Sequence, residues 1–195
     1  MQSTSWPNRH HPYFARLNEL LRDRGGEPLI AIVGPGAVTR LCRPLLSDAG
    51  RKMSAVRKLI GDAARYSDQL LRRVPSLPLV SLEPTEVERA LSVPHRLAVV
   101  DVSPRVLLAV SRDLPHARCE RIDLSNTPLP FRADVIIAFN VICRVADTQA
   151  AMQNLLAGLA ADGLLLIDDR TARRLLPADR FTQIAPKTYR ETAGR

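Results

Sequence analysis

A chain of 195 residues, 46% of them hydrophobic, is long enough for one sizeable core and short for two, so residues 1–195 are expected to form one domain. No apolar run reaches the ~18 residues that a membrane-crossing helix needs, and the opening MQSTSWPNRHHPYF has neither the basic nor the apolar region of a secretory leader, which points to a soluble, cytoplasmic protein with no membrane partner. The formal charge of +8 admits nucleic acid as a partner, yet only Lys52, Lys58 and Lys187 among the 28 basic residues are lysine, an arginine excess that GC-rich coding explains as readily as phosphate recognition.

Along the chain, Phe14, Leu17, Leu20 and Leu21 recur at helical spacing and RGGEP stops the pattern, predicting a helix over 12–24 within an N-terminal segment of 1–27. LIAIV at 29–33 is a short, continuously apolar run of the kind that forms a strand buried on both faces. It runs into the turn of Gly34, Pro35 and Gly36. The stretch to the next strand is far longer than a plain crossover of ~30 residues. It carries an apolar stripe through Met53, Val56, Leu59 and Ile60 beneath Arg and Lys, so a helical insertion is expected over 45–92, ending in a proline-marked linker and a short helix capped by Thr85.

Strands are then predicted at 96–102, 118–124, 133–139 and 163–169, with helices at 104–114 and 147–162 between them, and an edge strand or hairpin at 181–191. This alternation argues an α/β fold, a doubly wound and mostly parallel sheet covered on both faces. Cys42, Cys119 and Cys143 are odd in number and far apart, which indicates neither a disulfide framework nor a zinc site. They are read as packed thiols. Asp168 and Asp169 lack a further carboxylate at metal-binding spacing, so no metal is assigned.

In a doubly wound sheet the turn after the first strand opens into the ligand crevice. Gly34 and Gly36 permit positive φ and close approach to the backbone. Asp101, at the tip of the second strand, suits a ribose diol or, equally, a turn carboxylate ahead of Pro104. Asp123, at the end of the third, suits an exocyclic amine or an ordinary Asx turn.

Taken in order, IAIVGPGAVTRL, LAVVDVSPRVL, CERIDLSNTPLPF, ADVIIAFNVICRV and LLAGLAADGLLLIDD resemble the successive motifs of class I S-adenosylmethionine-dependent methyltransferases, with HPYFARLNELL similar to the helix that often precedes that Rossmann-like fold. The resemblance implies S-adenosylmethionine as cofactor. It implies that Val33, Gly34, Pro35, Gly36 and Ala37 pass beneath the amino-acid end of the cofactor. Asp101 would hold the ribose hydroxyls and Val102 would pack on the adenine. Asp123 would meet the adenine amine and the amide of Leu124 a ring nitrogen. Phe139 and Asn140 would lie near the transferred methyl, and Asn140, Tyr13 and Phe14 are the candidates for substrate contact. No catalytic base is assigned, because His95 and His116 fall at strand starts, away from the crevice, and are read as surface residues, while His10 and His11 belong to the N-terminal segment.

Two departures stand out. Ile32 occupies a position where the family often has an acid, and Val38 one where a third glycine is common. Methyl transfer to a small or medium acceptor ranks first. A catalytically silent, methyltransferase-like binding module is the alternative. An RNA-directed enzyme ranks last, because 4% aromatic residues leave little for base stacking.

Overall fold

The computed structural model describes residues 11–35, 84–139, 141–168 and 170–192. The elements are α1 (His11–Arg22), β1 (Leu29–Val33), α2 (Pro84–Ala90), β2 (Arg96–Asp101), α3 (Pro104–Asp113), β3 (Arg118–Arg121), β4 (Ala133–Ala138), a 3-10 turn (Ile142–Arg144), α4 (Thr148–Ala157), β5 (Leu159–Ile167), α5 (Arg170–Leu175), β6 (Phe181–Ala185) and β7 (Thr188–Glu191). Among the described residues the strands form one seven-stranded sheet in the order β3-β2-β1-β4-β5-β7-β6. The pairs from β3 through β5 are parallel, and β7 runs antiparallel to both β5 and β6. This is a doubly wound α/β sheet, and the segment 181–191 forms a hairpin that extends it.

Side-chain alternation along each strand feeds two cores. Ala31, Val33, Ala98, Val100, Ile136, Ala138, Leu165 and Ile167 pack on one face together with Ala151, Met152 and Leu155 of α4. Ile30, Ile32, Leu97, Val99, Val135, Ile137, Leu164 and Leu166 pack on the other with α1, α2 and α3. Burial on both faces explains why these strands read as continuous apolar runs rather than alternating ones.

Helix α1 presents Phe14, Leu17, Leu20 and Leu21 to that second core. Its buried Asn18 side chain is hydrogen-bonded at both amide atoms. The Asn18 amide nitrogen donates to the Ala90 carbonyl at 2.7 Å, and its oxygen accepts from the Ser92 amide at 2.8 Å, which ties α1 to the end of α2. On the other face of the sheet Asp147 caps α4, accepting from the amides of Gln149 and Ala150 at 3.1 and 2.9 Å; a side-chain oxygen here satisfies donors that the first helical turn leaves without partners.

Several boundaries differ from the predicted ones. The helix expected over 147–162 stops at Ala157. A Cβ on Gly158 would sit 2.6 Å from Leu129, so the chain turns there by close packing, and β5 begins at Leu159. A register shift between Ala133 and Val135, with Asp162 at φ 58°, takes up the residues between. Strand β3 ends at Arg121 rather than at 124. Helix α2 starts at Pro84, which places Thr85 inside its first turn instead of at the cap; proline suits the first helical position because its missing N–H is not needed there. Of the expected insertion over 45–92, residues 45–83 lie outside the described residues.

Candidate functional site

The strand order reverses between β1 and β4. From β1 the chain goes one way to β2 and β3, then crosses back to β4 on the other side. Crevices of doubly wound sheets open at this switch point, beyond the carboxyl ends of the strands. Gly34 and Pro35 emerge there from β1, Asp101 from β2, and Phe139 from β4.

The Gly34 amide donates to the Val100 carbonyl at 2.8 Å, so the turn stays in register with β2 as it leaves β1. Gly34 has φ 57°, and a Cβ on it would lie 2.9 Å from a methyl of Val141. Both the backbone conformation and the neighbour therefore require glycine. Gly36, Ala37 and Val38 lie outside the described residues, as does Asn140. Ile32, one turn of the pleat below Val33, is fully buried between Val99 and Ile137 in the sheet.

Asp101 accepts the Ser103 amide at 2.8 Å through Oδ1, forming the turn that leads into Pro104 and α3. Val102 beside it is 59% exposed, an apolar surface offered to solvent at the tip of β2. The Ile122 amide donates to the Asp101 carbonyl at 3.2 Å, which carries the chain past the end of β3 and keeps Asp123 alongside Asp101. Asp123 accepts from the Ser125 amide and from Asn126 Nδ2, each at 2.9 Å. Both aspartates thus make the turn bonds weighed from the sequence, and both stand at the carboxyl edge of the sheet, Asp101 partly exposed and Asp123 exposed. Leu124 is buried, and its carbonyl accepts Asn154 Nδ2 from α4 at 2.8 Å, fastening this loop to the helical layer.

Across the switch point Phe139 is buried, and its ring meets Tyr13 edge to face at 6.2 Å. Tyr13 is half-buried and comes from the first turn of α1. Phe14, one position on, turns instead into the core and is 1% exposed, because its helical phase matches Leu17 and Leu21. Lys187, from the β6–β7 turn, lies over the Tyr13 ring at 5.0 Å and the Phe139 ring at 6.0 Å. Sequence reasoning did not single it out. Its signal is a lysine following proline in a two-residue turn, at a position that favours glycine or asparagine.

Residues elsewhere are placed more plainly. His95 is not a surface residue: its side chain is 7% exposed and its Nε2 lies 3.0 Å from Glu88 Oε2, while His116 reaches the other oxygen of Glu88 at 3.2 Å. Cys143, expected in the core, is exposed in the 3-10 turn. Burial, and after it the Glu120 carboxylate, push the Cys119 thiol above its ordinary pKa. Cys42, His10, Asp169 and the basic cluster of Arg51, Lys52, Arg57 and Lys58 lie outside the described residues. Among the described residues no group of three His, Cys, Asp or Glu is arranged to hold a metal, and no helix is long and apolar enough to cross a membrane. A separate groove of about 550 Å³, bordered by Arg132, Gln149, Met152, Leu156, Leu175 and Arg180, lies against α4 and α5 and not at the crevice.

No family model matches the chain, and no curated protein matches it. Among solved structures, the N-methyltransferase NodS from Bradyrhizobium japonicum WM9 aligns with a TM-score of 0.56 at 14% identity, covering 99% of this chain and 100% of that one. The same protein in complex with S-adenosyl-L-homocysteine aligns with a TM-score of 0.52 at 16% identity, covering 97% and 90%. The fold is that of class I methyltransferases.

Proposed function

On this fold, we propose that the chain binds S-adenosylmethionine in the crevice at the carboxyl ends of β1, β2 and β4 and transfers its methyl group to a small-molecule acceptor. The observation that carries the reading is the pairing of a glycine held at φ 57° with a carboxylate on the adjacent strand, joined by the Gly34–Val100 bond. Asp101 and Asp123 supply acceptors where a ribose and an exocyclic amine present donors, and exposed Val102, next to Asp101 in the chain, supplies an apolar surface. These acceptors suit the hydroxyl and amine donors of the cofactor.

S-adenosylmethionine, when bound, supplies a methyl already activated by its sulfonium. The task of the protein is then to bind, to orient in line and to exclude water. Gly34 leaves the backbone open beneath the amino-acid end. Asp101 holds the ribose and Asp123 the adenine edge, with the Leu124 amide beside it. Tyr13, packed edge to face on the buried Phe139 ring, walls the far side of the crevice with aromatic surface. No residue is assigned as a general base.

A second reading, a binding module without turnover, is favoured by Ile32. Fully buried and apolar, it leaves no carboxylate below the turn to hold an amino group. Calorimetry with S-adenosylmethionine and S-adenosylhomocysteine tests both. Heat of binding with methyl transfer to a panel of small amines, alcohols and acids supports the enzyme; heat without turnover supports the module. Absence of heat at millimolar ligand removes both.

A further inference from the structure

The turn between β6 and β7 consists of Pro186 and Lys187, since Ala185 pairs with Thr188. Proline holds the first turn residue at negative φ, and a positive φ at the second completes the type of turn that ordinarily carries glycine or asparagine there. Lys187 adopts φ 61°, a strained conformation for a residue with a Cβ. Strain of this kind persists where the surroundings over-determine it, and it concentrates at functional sites. Here the Lys187 carbonyl accepts the Ile167 amide at 3.0 Å, which fastens the turn to the carboxyl end of β5. Its ammonium lies over the rings of Tyr13 and Phe139. Three separate elements, α1, the end of β4 and the hairpin, therefore converge on one cation beside the switch point.

A role confined to the turn does not explain the residue, because glycine would make the same turn without strain. Nor does an ion pair, since among the described residues the ammonium meets aromatic faces and no carboxylate. Ring faces hold a cation in place and cancel little of its charge, so it retains its attraction for an anion.

We infer that Lys187 determines acceptor specificity, and that the acceptor carries an oxyanion, a carboxylate or a phosphate group, which pairs with this ammonium while Tyr13 flanks the body of the molecule. The inference rests on the crevice being a methyl-transfer site, and its test needs no turnover. The full chain is titrated with 4-fluorobenzoate, 4-fluorophenyl phosphate and 4-fluorobenzamide, followed by fluorine NMR, as wild type and as Lys187→Asn, Lys187→Gly and Lys187→Arg. Asparagine and glycine suit the left-handed backbone, so neither variant is expected to lower the melting temperature.

One anion should bind about fivefold more tightly than the amide in the wild type and in Lys187→Arg, the scale of a partly exposed charge pair, and the better anion identifies the group. The preference should vanish in Lys187→Asn and Lys187→Gly. Equal binding of all three probes by the wild type, or a preference that survives in Lys187→Asn, overturns the inference. Calorimetry with S-adenosylmethionine on the same samples separates the two readings: heat of binding without anion preference overturns the role of Lys187 alone, whereas a lysine-dependent anion preference without that heat supports the oxyanion site and removes methyl transfer.

Discussion

The amide of Gly34 donates to the carbonyl of Val100 across 2.8 Å, so the first residue beyond β1 is still held by β2, and the carboxylate of Asp101 follows directly on the strand that holds it. A turn anchored in this way cannot relax to relieve a side chain. At Gly34 an added Cβ meets Val141 at 2.9 Å and must also adopt φ 57°. Gly34→Ala is therefore expected to lose about 2 kcal/mol of stability from the left-handed backbone, with a further loss from the displaced valine. Adding Val141→Ala should restore only the second part. Urea unfolding of the single and double variants checks this, and full recovery in the double variant would show that backbone conformation is not limiting.

Asp101 offers a second test because its structural and ligand-binding roles have different sizes. Its turn bond to the Ser103 amide is partly exposed and worth ~1 kcal/mol. A hydrogen bond from a ribose to the carboxylate is worth ~1.5–3 kcal/mol. Asp101→Ala should thus weaken S-adenosylmethionine binding on the order of 10-fold or more, with the melting temperature measured alongside. Asp179→Ala, on the exposed turn before β6, should change neither. Unchanged cofactor affinity in Asp101→Ala would place the ribose elsewhere.

The parts of this protein legible in its sequence are those where local pattern and tertiary environment agree. LIAIV, LAVV and VIIA are apolar at every position and become the centres of strands buried on both faces, and Gly34 marks its turn by being glycine. Asp123 was legible in place but not in element, because β3 is an edge strand with half-buried residues and ends once its pairing with β2 runs out at Arg121. The leucines and alanines of LAGLAADG suit a helix by composition; the helix gives way at Gly158, a poor helix former packed closely on Leu129 from a distant loop. Phe14 and Tyr13 differ by one position and face different surroundings, a distinction set by the sheet beneath α1. Lys187 was legible only as a lysine after proline in a turn, since its meaning depends on α1, β4 and the hairpin meeting in space.

At the other end of the sheet, Glu88 of α2 joins the loops that precede β2 and β3 through His95 and His116. His95 is nearly covered and Glu88 is partly so, with side chains 7% and 31% exposed; the pair to His116 lies in the open. Removing the carboxylate leaves a covered imidazole without that partner, which costs about 1 kcal/mol. Glu88→Ala should lower stability by this amount and leave S-adenosylmethionine affinity unchanged, because the crevice lies at the carboxyl ends of the strands. His116→Ala should cost little, as exposed pairs contribute little. Paired denaturation and calorimetry check the separation, and a loss of affinity in Glu88→Ala would contradict it.

Cys119 sits partly buried on β3 beside Glu120, and burial first, then the neighbouring carboxylate, raise its pKa. The folded chain therefore prefers the protonated thiol. This preference contributes its full stability below the ordinary thiol pKa of ~8.5 and loses it as the pH rises through the raised value. Cys119→Ala should accordingly flatten the fall of melting temperature on the alkaline side of that range. Since the thiolate is the reactive form, iodoacetamide near pH 8 should label exposed Cys143 before Cys119. Glu120→Gln removes the second cause, and should speed labelling of Cys119 by bringing its pKa closer to the ordinary value. Peptide mapping by mass spectrometry reads both rates, and faster labelling of Cys119 than of Cys143 in the wild type would show that the burial of Cys119 does not govern its ionisation.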